Sequence, residues 1–213
     1  LLTLPASVAL MTMPLPSARA LFERGAYTPE DSVATALALF AYAAGLPAFV
    51  LTKVLQPAFF AREDTVTPLK AALVGVATNL TLAILLFLLL RDRGYGFLGL
   101  AAATAIAAWV TCGLLAWKLR RRGLLRPDRR LAGRLPRQLL AAVAMGLALW
   151  GGAQLIAGWL EGPSLGRFLG LALLVLLGGL VYFGGAWALG ALRREDLARL
   201  RPRRRKSGAS GSA

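Results

Sequence analysis

Six residues recur at steps of three and four in one stretch of the chain: Tyr42, Gly45, Phe49, Lys53, Gln56 and Phe60. Those steps put side chains on one face of an α-helix. A cation, an amide and three aromatic rings sharing a face are poorly suited to bare lipid. Lys53 permits two readings. It stands seven residues before Phe60, so ~10 Å from the helix end at about 1.5 Å rise per residue. From there its ammonium can snorkel to a membrane interface, or it can face a water-filled cavity and attract an anion. Asn79 sits in the middle of the next apolar run. An amide at that depth either bonds a neighbouring helix or contacts a substrate.

Backbone breakers flank these groups. Gly45, Pro47 and Pro57 lie within the same stretch. A membrane helix tolerates proline where neighbours or water satisfy the freed carbonyls, and such a kink is either structural or a hinge for alternating access. The stretch Arg62-Glu63-Asp64-Thr65 is followed by Pro68. It reads as a polar turn in which Asp64 or Thr65 caps the following helix, with Pro68 in its first turn. An Arg62–carboxylate latch between conformations is the alternative.

The elements that must position these residues are apolar. Of 213 residues, 57% are hydrophobic and 16% charged, and mean hydropathy is +0.62. Soluble domains run near ~45–50% apolar and ~25% charged. The single cysteine, Cys112, excludes an internal disulfide framework, and with no histidine zinc and iron–sulfur chemistry has too few ligands. No Gly-rich phosphate loop and no Ser-His-Asp set is present. The reading is no enzyme, no metal and no cofactor.

Six apolar segments follow one another: about 1–16, 32–60, 67–90, 97–117, 139–160 and 165–192. About 20 apolar residues cross a bilayer once, so the fold class is an all-α, polytopic membrane helix bundle. The first segment falls short of a full span, which suggests the C-terminal piece of a longer protein. A polar connection is expected over 18–31, with Thr28 as N-cap, Pro29 at N1 and Asp31 at N3 of the next helix. The bundle spans 1–192, and 193–213 is a basic tail ending in a Gly/Ser/Ala-rich stretch expected to be disordered.

Net charge is +15. Such a value suggests nucleic acid, but the cations cluster in short connections between uncharged runs, the pattern of a membrane protein. Alternating segments divide the connections into two sets. With Lys53, Lys70 and Arg167 assigned to their nearest helix ends, the set holding 61–66, 118–138 and the tail carries 20 of the 25 Lys and Arg residues. The set holding 18–31, 91–96 and 161–164 carries five. The positive-inside rule puts the first set, and the C-terminus, in the cytoplasm. Gly99, Ala103 and Ala107 form a small-residue stripe, and Gly166 and Gly170 a GxxxG pair; both favour close helix packing. Trp109, Trp117, Trp159 and Trp187 read as interfacial anchors. The basic loop and tail also suit anionic lipid head groups.

The second segment carries a recognisable string. Leu21-Phe22-Glu23-Arg24-Gly25-Ala26-Tyr27-Thr28 precedes Tyr42-Ala43-Ala44-Gly45-Leu46-Pro47, and Lys53 to Pro68 reads KVLQPAFFAREDTVTP. This resembles the MurJ (MviN) family of lipid II flippases, within the multidrug/oligosaccharidyl-lipid/polysaccharide exporter superfamily. Residues 1–70 carry the resemblance most specifically, and Gln56 stands where the family string often has a small residue. The resemblance implies fourteen helices in two bundles, of which this chain matches the last six. It implies transport of lipid-linked peptidoglycan precursor between leaflets of the bacterial inner membrane by alternating access, with membrane potential a possible driver. Its partners would be lipid II, membrane lipids and the N-terminal helices of the same protein. The last two segments would line a groove for the lipid tail. Two other functions compete: export of another polyprenyl-linked glycan or a drug, and a non-transporting membrane scaffold with lipid-binding basic loops.

Overall fold

The computed structural model describes residues 3–23, 27–92, 94–124, 129–160 and 164–188. The expected tail 193–213 and the bundle boundary at 192 lie outside the described residues, as do Arg24, Gly25, Ala26 and Arg93. Every element among the described residues is helical. In chain order they are α1 (Thr3–Thr12), α2 (Pro14–Phe22), α3 (Pro29–Phe60), α4 (Val66–Arg91), α5 (Gly96–Arg121), α6 (Arg129–Leu155), α7 (Ala157–Leu160) and α8 (Ser164–Ala188). Five of them, α3, α4, α5, α6 and α8, are long and apolar enough to cross a membrane.

The first segment departs from expectation. It is two short helices broken at Met13, whose backbone is non-helical at φ −127° and ψ 51°. The cause is Pro14, which has no N–H for the preceding turn but starts a new helix well. Ser17 repairs part of the break, its Oγ donating to the Met13 carbonyl at 2.7 Å. The second helix then continues to Phe22, because Ser17, Ala18 and Ala20 bury there. The expected polar connection of 18–31 therefore shrinks to the residues between Phe22 and Pro29. About six spans become five long helices and this broken pair. The fifth long segment also shifts: α6 starts ahead of the expected 139 and stops at Leu155, and short α7 completes it.

The start of α3 follows the sequence closely. Thr28 Oγ1 accepts from the Asp31 amide at 3.2 Å, and the Asp31 carboxylate accepts from the Thr28 amide at 3.0 Å. This reciprocal capping box satisfies two of the helix's orphan donors. The helix then runs unbroken through Pro47 and Pro57.

The centre of the fold is α5. It packs against both α3 and α4, while α6 and α8 pair with each other and reach α3 through α1 and α2. Small residues make the α5 contacts close. Gly99, Ala101, Ala103, Ala105, Ala107 and Ala108 are all buried. A Cβ on Gly45 would lie 2.9 Å from the Ala105 Cα, and one on Gly99 would lie 2.8 Å from the Leu86 carbonyl carbon. The obstacle at both positions is backbone, which cannot step aside as a side chain can. The outward face of α4 is bare apolar surface, with Val76, Leu80 and Leu89 each more than 60% exposed, as lipid contact requires.

Gly45→Leu and Gly99→Leu should each push α5 off its neighbour. Overpacking costs about 1–3 kcal/mol, so each should lower the thermal unfolding midpoint in detergent by several degrees. An unchanged midpoint would mean that these helices are not in backbone contact.

Candidate functional site

Three polar constellations tie the helices together, and each begins with a local feature of sequence. The first is the turn after α3. Glu63 adopts positive φ (58°), which reverses the chain in a tight turn, and the amide of Asp64 donates back to the Phe59 carbonyl. The Asp64 carboxylate then accepts from the Thr67 amide at 2.9 Å and from the Thr67 hydroxyl at 2.7 Å. Asp64 is thus the working cap of α4, while the side chain of Thr65 makes no capping bond. Pro68 is buried in the first turn of α4. From the end of α5, Arg122 Nη1 donates to Asp64 at 2.6 Å and its Nη2 to Thr67 Oγ1 at 3.2 Å. The cation meeting this turn is therefore Arg122, in place of the Arg62 latch the sequence suggested. The Thr67 amide, the Thr67 hydroxyl and then Arg122 hold the Asp64 carboxyl down at about 2.

The second constellation lies at the opposite ends of the helices. The Glu23 carboxylate, just past α2, accepts from Ser32 Oγ in the first turn of α3 at 3.0 Å. It also accepts from Arg167 Nη1 in the first turn of α8 at 2.8 Å, and Arg19 Nε lies 3.7 Å away. Burial opposes ionisation of Glu23, but the bonds from Ser32 and Arg167 and the charges of Arg167 and Arg19 outweigh it, leaving its carboxyl below the usual value. One carboxylate so joins three helices. The two clusters also sort the connections as charge did: Asp64 and Arg122 come from one set, Glu23 and Arg167 from the other.

The third constellation is within the span. Pro47 offers no N–H to the Ala43 carbonyl. One residue on, the Ala44 carbonyl accepts a bond from Trp109 Nε1 of α5 at 2.9 Å. Trp109 sits in the middle of α5 as a strut between helices, and the interfacial reading of this residue is corrected on that account. Asn79 Oδ1 on α4 stands 3.4 Å from Thr104 Oγ1 on α5, so this amide faces a neighbouring helix.

The α3 face divides. Gly45 turns onto α5, where its missing side chain allows close contact. Tyr42, Phe49, Lys53 and Phe60 are exposed and Gln56 is half-buried. Lys53 forms no ion pair with any described residue, and no other described helix covers this surface. A separate apolar crevice of about 150 Å³ opens between α1, α6 and α8, lined by Met13, Met145, Leu149, Leu174 and Tyr182 among others.

Residues 1–180 match the family described as "Lipid II flippase MurJ". The chain belongs to the MurJ family. A relative from Rhizobium meliloti strain 1021, named "Probable lipid II flippase MurJ", is 41% identical over all of this chain and 38% of its own length. Relatives of the same name from Rhizobium tropici and Vibrio cholerae are 38% and 34% identical, over 94% and 92% of this chain. The chain spans little more than a third of these curated MurJ relatives, 38%, 38% and 36% of their lengths. It is a multi-pass membrane protein by family and by its five long apolar helices.

Two constellations were missed in the sequence. The charges of Glu23 and Asp64 were visible, but their partners Arg167 and Arg122 are 144 and 58 residues away. Only helix packing brings such residues together.

Asp64→Asn should lower the thermal unfolding midpoint at neutral pH, since the Arg122 contact loses its charge partner. The folded-state carboxyl lies below its ordinary value, so its stabilisation is complete above 3.8 and is lost as pH falls through about 2. The gap between wild type and variant should stay constant down to the upper value and close toward the lower one. A gap that closes near neutral pH would contradict the Asp64 assignment.

Proposed function

We propose that this chain forms the C-terminal part of a lipid II flippase, which moves lipid-linked peptidoglycan precursor from the cytoplasmic to the outer leaflet of the bacterial inner membrane. The observation that carries the reading is the uncovered α3 face. Tyr42, Phe49, Lys53 and Phe60 stand exposed on a membrane-spanning helix, and an ammonium is costly against bare hydrocarbon. In the proposal the N-terminal helices of the whole protein close over this face. The enclosed space is a cavity in which Lys53 attracts the pyrophosphate and Gln56 supplies an amide beside it. Aromatic rings at Tyr42 and Phe49 form the walls.

The apolar crevice between α1, α6 and α8 has the chemistry to hold part of a polyprenyl tail. Alternating access needs bending points, and Pro47 and Pro57 are the places where α3 has already lost ladder hydrogen bonds. The cation-rich ends, with the Arg62–Pro68 turn and the C-terminal tail, lie in the cytoplasm by charge count. The protein is a transporter with no catalytic role, and needs no cofactor.

The test is rescue of a strain depleted of its own lipid II flippase, using the full-length gene that contains this chain. Wild type should restore growth and lipid II flipping. Lys53→Gln should reduce flipping at least ten-fold with insertion unchanged, and Lys53→Arg should keep most of it. Transport of another lipid-linked glycan with no lipid II flipping would shift the function to a related exporter. Full activity of Lys53→Gln would remove the lysine from the site.

A further inference from the structure

A cavity of about 300 Å³ lies between the start of α4 and the end of α5, with Lys70 and Lys118 at its rim. Neither lysine has a carboxylate partner among the described residues. Asp64, in the turn that leads into α4, is already held by Arg122 and Thr67. Lys118 and Arg121 both stand over the Trp117 ring, 5.6 and 4.2 Å from its centroid, which gathers positive charge at the same level as an interfacial aromatic.

Val66 and Thr67 line the cavity at the very start of α4, and on the inner side of the two lysines the lining is apolar: Ala71, Val74 and Leu114. From Val66 to Val74 the groove follows eight residues of α4, about 12 Å at 1.5 Å per residue. It therefore runs from the helix ends, where head groups sit, into the depth of the acyl chains. Two cations above and a hydrocarbon channel below match one chemistry, a phosphodiester joined to an acyl chain. We infer that this groove between α4 and α5 is a binding site for an anionic phospholipid, with its phosphate between Lys70 and Lys118 and one acyl chain along Val74 and Leu114.

A soluble anion would use only the rim. A zwitterionic phospholipid would gain the apolar contact but pay for bringing its own ammonium to two lysines. The inference requires only that the chain spans a membrane, so it stands or falls apart from lipid II transport.

The experiment uses the full-length protein in vesicles of phosphatidylcholine doped with phosphatidylglycerol, with a photoactivatable probe at Leu114. Cross-linked lipid is identified by mass. Wild type should capture phosphatidylglycerol well above its mole fraction. Lys70→Gln with Lys118→Gln should cut that enrichment by roughly ten-fold or more, given the attraction each basic residue exerts near a membrane surface. Lys70→Arg with Lys118→Arg should retain it. Arg62→Gln with Arg120→Gln removes two charges from the same end without touching the groove, and should leave the enrichment close to wild type. Capture in proportion to mole fraction by wild type would overturn the site. So would equal losses in the two glutamine pairs, which would reduce the effect to surface charge. Circular dichroism and the thermal midpoint of each variant show whether the fold is intact; if the glutamine pair at 70 and 118 unfolds, capture by the arginine pair decides.

Discussion

The α3–α4–α5 part of this fold depends on the close approach of α5 to its two neighbours. In hydrocarbon there is no hydrophobic force to hold helices together, so association rests on van der Waals contact and the few hydrogen bonds the interior can make. The glycines and alanines of α5 supply the contact, and Trp109 supplies a bond to the Ala44 carbonyl at 2.9 Å. That bond falls where Pro47 disturbs α3, so the weakest point of one helix is braced by the middle of another. Because α5 occupies one side of α3, it decides which residues of α3 remain free. Gly45 is consumed by packing, and Lys53 and Phe49 are left open.

The two ends of the bundle are organised differently. At one end Asp64 serves α4 as cap and α5 as ion-pair partner, so a single carboxylate fixes the turn and the helix end together. At the other end Glu23 collects Ser32, Arg167 and Arg19, binding the α1–α2 pair and α8 to α3. The α6–α8 unit reaches the rest of the described fold through α1 and α2, and this cluster adds a polar tie to that packing. Both clusters sit outside the apolar spans, where charge is cheap to place.

Much of this was legible in the sequence. The long helices follow from runs of apolar residues, and the capping box at Thr28 and Asp31 from two residues three apart. The Gly99 stripe announced close packing because small residues have little other use in a span. What was not legible depends on contacts distant in sequence. Arg62 was the nearer cation to Asp64, but it precedes the sharp reversal at Glu63, whereas Arg122 arrives from the end of α5. Trp109 was misread because tryptophan near an interface is common, and only the register of α5 on α3 shows it reaching a carbonyl. The break at Met13 was hidden by uniform hydrophobicity, although Pro14 marks it in retrospect. The candidate site was half legible: period placed Lys53 and Gln56 on a common helix face, but period alone does not say what covers that face.

The central claim is that the open face of α3 lines the path of an anionic lipid. The most direct measurement places a photoactivatable probe at Gln56 in the full-length protein and supplies lipid II in the same vesicles. The account predicts cross-linking to lipid II, competed by unlabelled lipid II and weakened when Lys53 is changed to Gln. Cross-linking to bulk phospholipid alone, unaffected by lipid II, would mean that this face meets the bilayer and that the path lies elsewhere.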